Sequence, residues 1–343
     1  MSDAIWLIIT QKSAAVGTAL SFVINFILLV FLSTLPLQAL GPYKYLMTAF
    51  SVFSVFYTLV EWFLKPLIHI YDDTCFVLQR KAYDYSHTVA RAISATYCGC
   101  LAASFTLFAV HFIYRYLAVC FPMKLKFFKG SSLLYWALGV FLTAASWANF
   151  AFFCFPGNER TLESFQEVAQ RSYNLDIRKV DYVAYTFWKY ENGIRRIDIL
   201  SIVGVIQHLI VMFISFCIVF YCGIHTVIEM RKHRSVSKTT KRIQKQLFKA
   251  LVFQVVQKIR RPRTAFPMIF IYIPTLMVFF TPILNLDIGA YGNIAIVTIH
   301  LYPGVDPLIL LILISDFRSA LGEAPKKIMS VTSSVLQRSS VIM

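Results

Sequence analysis

Residues 89–110 form an apolar run in which Arg91, near the start, is the one charge. At 1.5 Å of rise per residue a helix of this length crosses a hydrocarbon core of ~30 Å. Six further apolar runs of crossing length divide the rest of the chain, at 14–40, 45–68, 133–155, 199–224, 266–285 and 292–314, with the third extending to residue 115. Inside lipid each backbone N–H and C=O must be satisfied within its own segment, so such runs are helices. Composition agrees: 58% of residues are hydrophobic and 15% charged, against about a quarter charged in soluble domains. The expected fold is therefore an all-α integral membrane protein, a seven-transmembrane helix bundle spanning 14–320. A short extracellular stretch, 1–13, precedes it, and a cytosolic tail, 321–343, follows.

Charge orients the bundle. Residues 225–249 carry Arg231, Lys232, Arg234, Lys238, Lys241, Arg242, Lys245 and Lys249 against Glu229 alone. Cation-rich short loops stay in the cytosol, and Lys124, Lys126 and Lys129 in one loop and Lys326 and Lys327 in the tail fall on the same side. The loop 156–198, with seven acidic and seven basic residues, then lies outside with the amino terminus, and its balance suggests a structured or lid-like segment. In a soluble protein the net charge of +16 would point to nucleic acid. Here the cations sit beside apolar runs, so membrane lipids are the partner and no nucleic acid is expected.

The polar residues inside the runs are few. Asn25 needs a partner within the bundle. Glu61 and Lys65 are one turn apart, a spacing that favours pairing on a helix face. Seven cysteines show no zinc-type spacing, and no metal or cofactor is expected. Free buried thiols are the simpler state, with one disulfide of Cys75 or Cys98 to Cys154 as the alternative. His111, His208 and His300 lie on separate runs without paired-ligand spacing, which argues against an enzyme. The run 292–314 has no lysine for a retinal Schiff base. A channel or transporter is the rival class, though there is neither repeat symmetry nor an acidic ring.

Arg115 closes the third run and has two readings: a guanidinium snorkelling to phosphates, or an inward-facing switch. Asp306 beside Pro307 makes a hinge candidate, because a proline frees a helix carbonyl for another partner. Glu61 and Tyr116 join this switch set. A ligand pocket can be placed only by depth, near Tyr97, Leu101, Phe105, Gln207, His208, Tyr272 and Tyr291, and plain helix packing is the simpler account of each aromatic.

Several motifs then converge: Gly41-Pro42-Tyr43-Lys44-Tyr45-Leu46-Met47, Glu61 with Pro66 and His69, and His111-Phe112-Ile113-Tyr114-Arg115-Tyr116. Further on come Gln246-Leu247-Phe248-Lys249-Ala250-Leu251, Tyr272-Ile273-Pro274, and Tyr302-Pro303-Gly304-Val305-Asp306-Pro307-Leu308 leading into Asp316-Phe317-Arg318. In this order the chain resembles the nematode serpentine chemoreceptors, particularly the str class of G-protein-coupled receptors. The resemblance implies an olfactory receptor in the plasma membrane of a sensory cilium, with a small-molecule odorant and a heterotrimeric G protein as partners. It places Arg115 in the inner motif of the third helix, and Lys241, Arg242 and Lys245 where a G protein is contacted. One departure stands out. Residues 255–266 lengthen the sixth segment and bring in Lys258, Arg260, Arg261, Pro262 and Arg263. Each cation would cost ~2.5–3.5 kcal/mol at mid-membrane, so membrane entry is expected after Arg263. A non-functional receptor variant is the alternative this insertion raises.

Overall fold

The computed structural model describes residues 2–35, 41–79, 86–156, 159–174, 176, 180–191, 194–232, 271–314 and 317–320. Helix α1 spans Ser2–Thr34 and α2 Tyr43–Leu64. Strands β1 (Pro66–Tyr71) and β2 (Thr74–Gln79) follow, then α3 (His87–Cys120) and α4 (Ser132–Cys154). The next connection folds into α5 (Glu159–Tyr173), β3 (Asp181–Thr186), β4 (Trp188–Glu191) and β5 (Ile194–Ile197). Helix α6 (Ile199–Lys232), the short α7 (Ile273–Ile283) and α8 (Asn293–Leu313) complete the chain order. Among the described residues six helices are long and apolar enough to cross a membrane, and α7 is a shorter apolar one. Phe141 and Phe213, on α4 and α6, are 66% and 67% exposed. Such faces suit lipid, not water.

Several boundaries move for local reasons. The first helix begins at Ser2 and so takes in the stretch expected to precede the first span. The second run does not stay helical to residue 68. Lys65 adopts φ 48°, its N–H bonded to the Glu61 carbonyl at 2.8 Å, and Pro66 follows with no N–H to continue a helix. Residues 66–68 therefore open β1. The left-handed turn also swings Lys65 away, its ammonium 5.7 Å from the Trp62 ring centre, and the expected pairing with Glu61 gives way to this contact. Helix α3 begins at the Ser86 cap, whose hydroxyl accepts the Val89 N–H at 3.4 Å, and continues past Arg115 by more than a turn. All seven cysteines are free thiols, so the Cys75 or Cys98 to Cys154 disulfide is not formed.

The connection between α2 and α3 and the 156–198 loop build a single lid. Strands β1, β2 and β3 form an antiparallel sheet with Ile68 opposite Val77 and Val77 opposite Val183. Helix α5 packs on it through Phe165, stacked on Phe76 at 4.1 Å, and through Tyr173, whose hydroxyl meets His69 Nδ1 at 2.7 Å. The Asn293 side chain ties the lid to α8 by imitating a strand: its Oδ1 accepts the Ile68 N–H at 2.9 Å and its Nδ2 donates to the Ile68 carbonyl at 2.7 Å.

Helices α1 and α8 meet along a seam of small residues. A Cβ on Gly17 would lie 2.2 Å from the His300 carbonyl oxygen, and one on Gly304 2.9 Å from the Ser21 nitrogen. Asn25 completes the seam. It is fully buried, donates to the Ser21 and Pro303 carbonyls at 2.8 and 2.9 Å, and accepts from the Ser51 hydroxyl at 2.6 Å. The amide has the bundle partner that lipid burial demands.

Candidate functional site

Helix α3 runs from the lid to the buried Arg115, and a polar or concave feature lies at each end. Beneath the sheet is a cavity of about 70 Å³. Tyr97 and Leu101 from α3, Trp147 from α4, His208 from α6 and Thr275 and Phe279 from α7 line its sides, and Val77, Val183 and Tyr185 close it from the lid. Its aromatic wall is tight: Trp147 lies 4.1 Å from His208, and Tyr185 5.7 Å from Phe279.

The lid is fastened to this wall by an unusual acceptor. Pro282 has no N–H, so the Val278 carbonyl one turn earlier lacks its helical partner. The Tyr185 hydroxyl donates to that carbonyl at 2.7 Å. Burial, outside the membrane-spanning segments, raises the Tyr185 hydroxyl well above its ordinary value and pushes the neighbouring Cys75 thiol up to about 12.

Of the seven pocket residues placed by depth, Tyr97, Leu101 and His208 line the cavity. Phe105 and Tyr272 lie deeper, their rings 4.6 Å apart, and Phe105 is 5.9 Å from Trp147. Gln207 turns to α4 and donates to the Ser146 hydroxyl at 2.8 Å. Tyr291 is 59% exposed and packs edge-on to Trp6 at 5.8 Å, away from the cavity. Thr275 and Tyr185 escaped sequence reasoning. The signal for Tyr185 was the β-prone Asp181-Tyr182-Val183-Ala184-Tyr185-Thr186 in a polar loop.

At the other end Arg115 is 1% exposed. It does not snorkel. Its Nη2 donates to the Tyr43 hydroxyl at 2.9 Å, and that hydroxyl lies 2.9 Å from His111 Nδ1. Since the hydroxyl accepts from arginine, its own proton is directed to the histidine, a chain that joins α2 to α3. Asp306 acts on both Arg115 and Tyr43 electrostatically, and Pro307 is buried beside it. Tyr116 faces elsewhere, against Tyr221 of α6 at 5.9 Å. Glu61 also stands apart, roughly 27 Å along α2 from Tyr43 at 1.5 Å per residue, buried near Tyr57 and Tyr97 with its Oε1 unpartnered. Lys241, Arg242, Lys245 and the 255–266 insertion lie outside the described residues.

A larger groove, about 650 Å³, runs between α2, α3 and α4. Its rim residues Tyr45 and Phe141 are 62% and 66% exposed, so it belongs to the lipid-facing surface and not to the bundle interior.

Apolar helices around a lidded cavity, with a buried arginine network at the far end, define a multi-pass membrane protein of receptor type. Residues 10–322 match the family described as serpentine type 7TM GPCR chemoreceptor Str, and the chain belongs to that family. It is 40% identical to the Caenorhabditis elegans serpentine receptor class r-10, over 93% of this chain and 91% of the relative. Its identity to the Caenorhabditis briggsae protein of the same name is 39% over the same shares. The G-protein coupled receptor str-33 of Caenorhabditis elegans is 25% identical over 82% of this chain and 81% of its own length. The family is one of receptors, not of enzymes.

Proposed function

We propose that this chain is an olfactory receptor that takes a small odorant beneath the lid and activates a heterotrimeric G protein at the Arg115 end. The observation that carries the reading is the division of labour along α3: the cavity lies at one end, and the Arg115–Tyr43–His111 chain at the other. A ligand that shifts α3 against α7 alters the packing on which the arginine network depends. The cations of the 225–249 segment support a cytosolic placement of that end, with Lys241, Arg242 and Lys245 as G-protein contacts. The lid and amino terminus then face outward, in the plasma membrane of a sensory cilium. The family match supports this reading over a channel or transporter.

Calcium imaging of cells expressing the receptor, challenged with a panel of volatiles, tests it. Arg115→Ala is expected to reach the surface and lose the response, and Arg115→Lys to restore it in part, because ammonium lacks the planar fork. A full response from the lysine variant would remove the switch role. An epitope at Gly157 reached only after permeabilisation would reverse the orientation and end the receptor reading.

A further inference from the structure

The cavity beneath the lid carries a specific polar inventory. Trp147, His208 and Thr275 are each at most 3% exposed, all three line the cavity, and each has a buried polar atom without a hydrogen-bond partner. The matching tryptophan and threonine elsewhere are satisfied, whereas the Nε2 atoms of His111 and His300 also lack a hydrogen-bond partner. Trp136 Nε1 donates to the Phe127 carbonyl at 2.9 Å, and the Thr281 hydroxyl donates to the Met277 carbonyl at 2.8 Å. Buried polar groups are ordinarily paired, so these three, with the Tyr97 hydroxyl as a fourth orphan on the same lining, point to a ligand.

Their chemistry limits what that ligand is. Indole Nε1–H donates only, so Trp147 requires an acceptor. His208 Nδ1 is 2.8 Å from the Gly204 carbonyl, and a carbonyl accepts only, so Nδ1 carries the proton. In the neutral ring Nε2 is then an acceptor and requires a donor. The Thr275 hydroxyl serves either role. Size is the second limit. An engineered cavity of ~150 Å³ holds benzene, so 70 Å³ holds roughly three or four heavy atoms on the same scale.

We infer that this cavity is a site for a small hydroxyl-bearing molecule, whose O–H donates to His208 Nε2 and whose oxygen accepts from Trp147 Nε1. This assignment rests on the receptor reading above and names its ligand class. A ketone or ether of equal size satisfies Trp147 but leaves His208 without its donor.

The test uses the purified full-length receptor in detergent micelles, with thermal unfolding in equal concentrations of 2-propanol or acetone, which have the same heavy-atom count. A ligand that binds only the native state raises Tm by mass action, by about 3 °C or more in large excess. The expected result is a rise with 2-propanol well above that with acetone. The difference should vanish in His208→Phe and shrink in Thr275→Val, a change that keeps the side chain's shape. Equal shifts, no shift because the cavity holds water only, or a preference that survives both substitutions would overturn the assignment. Imaging separates the two readings. If ketones drive a calcium response that His208→Phe abolishes, the receptor reading stands and the hydroxyl assignment falls. Stabilisation by 2-propanol through His208, with no alcohol evoking calcium, leaves the site standing and removes the receptor reading.

Discussion

The Asn25 side chain donates to the Pro303 carbonyl at 2.9 Å, and that carbonyl is available because Pro307, four residues on, has no N–H to claim it. Helix α1 thus repairs a gap in helix α8. Replacing Asn25 with leucine, of similar size, leaves the carbonyl unpaired in the bundle interior. The expected loss is about 1–2 kcal/mol, read as a lower Tm of the solubilised receptor. In a Pro307→Ala background the restored N–H reclaims the carbonyl, so Asn25→Leu should cost clearly less there. Equal cost in both backgrounds would dissociate the pair.

Tyr185 and Val278 repeat the device at the lid, where the proline is Pro282. Tyr185→Phe keeps the ring contacts with Phe155 and Phe279 and removes the hydroxyl, with its bond to Val278 and its interaction with the Cys75 thiol. Amide hydrogen exchange across β3 should quicken about fivefold to tenfold, as expected for a net hydrogen bond of ~1 kcal/mol. Helices other than α7, which supplies the Val278 carbonyl, should be unaffected. Unchanged exchange in β3 would show that sheet pairing alone holds the lid.

The seam between α1 and α8 tolerates no side chain at Gly17. Gly17→Ala places its Cβ 2.2 Å from a backbone oxygen, which cannot rotate away, and overpacking of this kind costs about 1–3 kcal/mol. Surface expression should fall sharply. Gly139→Ala is the control, since nothing lies within 4 Å of its added Cβ. If the two variants express alike, the seam is looser than its geometry states.

Cys75 lies in the lid with its thiol pushed up to about 12 by burial. At pH 8 its thiolate fraction is on the order of 10⁻⁴, so maleimide labelling of the folded receptor should be slow at this site and fast after denaturation. The sign for stability follows from the same shift. Folding holds the proton, so this contribution is complete below the ordinary thiol value of ~8.5 and is lost as pH rises towards 12. Rapid labelling of folded protein at Cys75, mapped by mass spectrometry, would contradict its burial.

Much of the bundle was legible because lipid imposes so strict a code. Long apolar runs, the amide at Asn25 and the isolated Arg115 all had one physical solution or two. The lid was harder. Pro66-Leu67-Ile68-His69-Ile70-Tyr71 continues the apolar run of α2 without a break in hydrophobicity, and a short apolar segment reads as helix or strand alike. The turn that decides it is a left-handed Lys65, a conformation that sequence leaves unmarked at lysine. The cavity shows the same limit. His208 was visible by depth, but its partners Trp147 and Thr275 are brought beside it only by how α4, α6 and α7 cross. Gln207, next to it in the chain, points to another helix.

The α1–α8 seam joins the first membrane segment to be synthesised with the last. Until α8 has been inserted, α1 stands with the Gly17 face open and the Asn25 amide held by Ser21 and Ser51 but lacking its Pro303 partner. A chain that ends before α8 therefore leaves its oldest helix with an unfilled seam inside the membrane. Closure of the seam thus makes the packing of the earliest helix depend on α8, the last of the described helices.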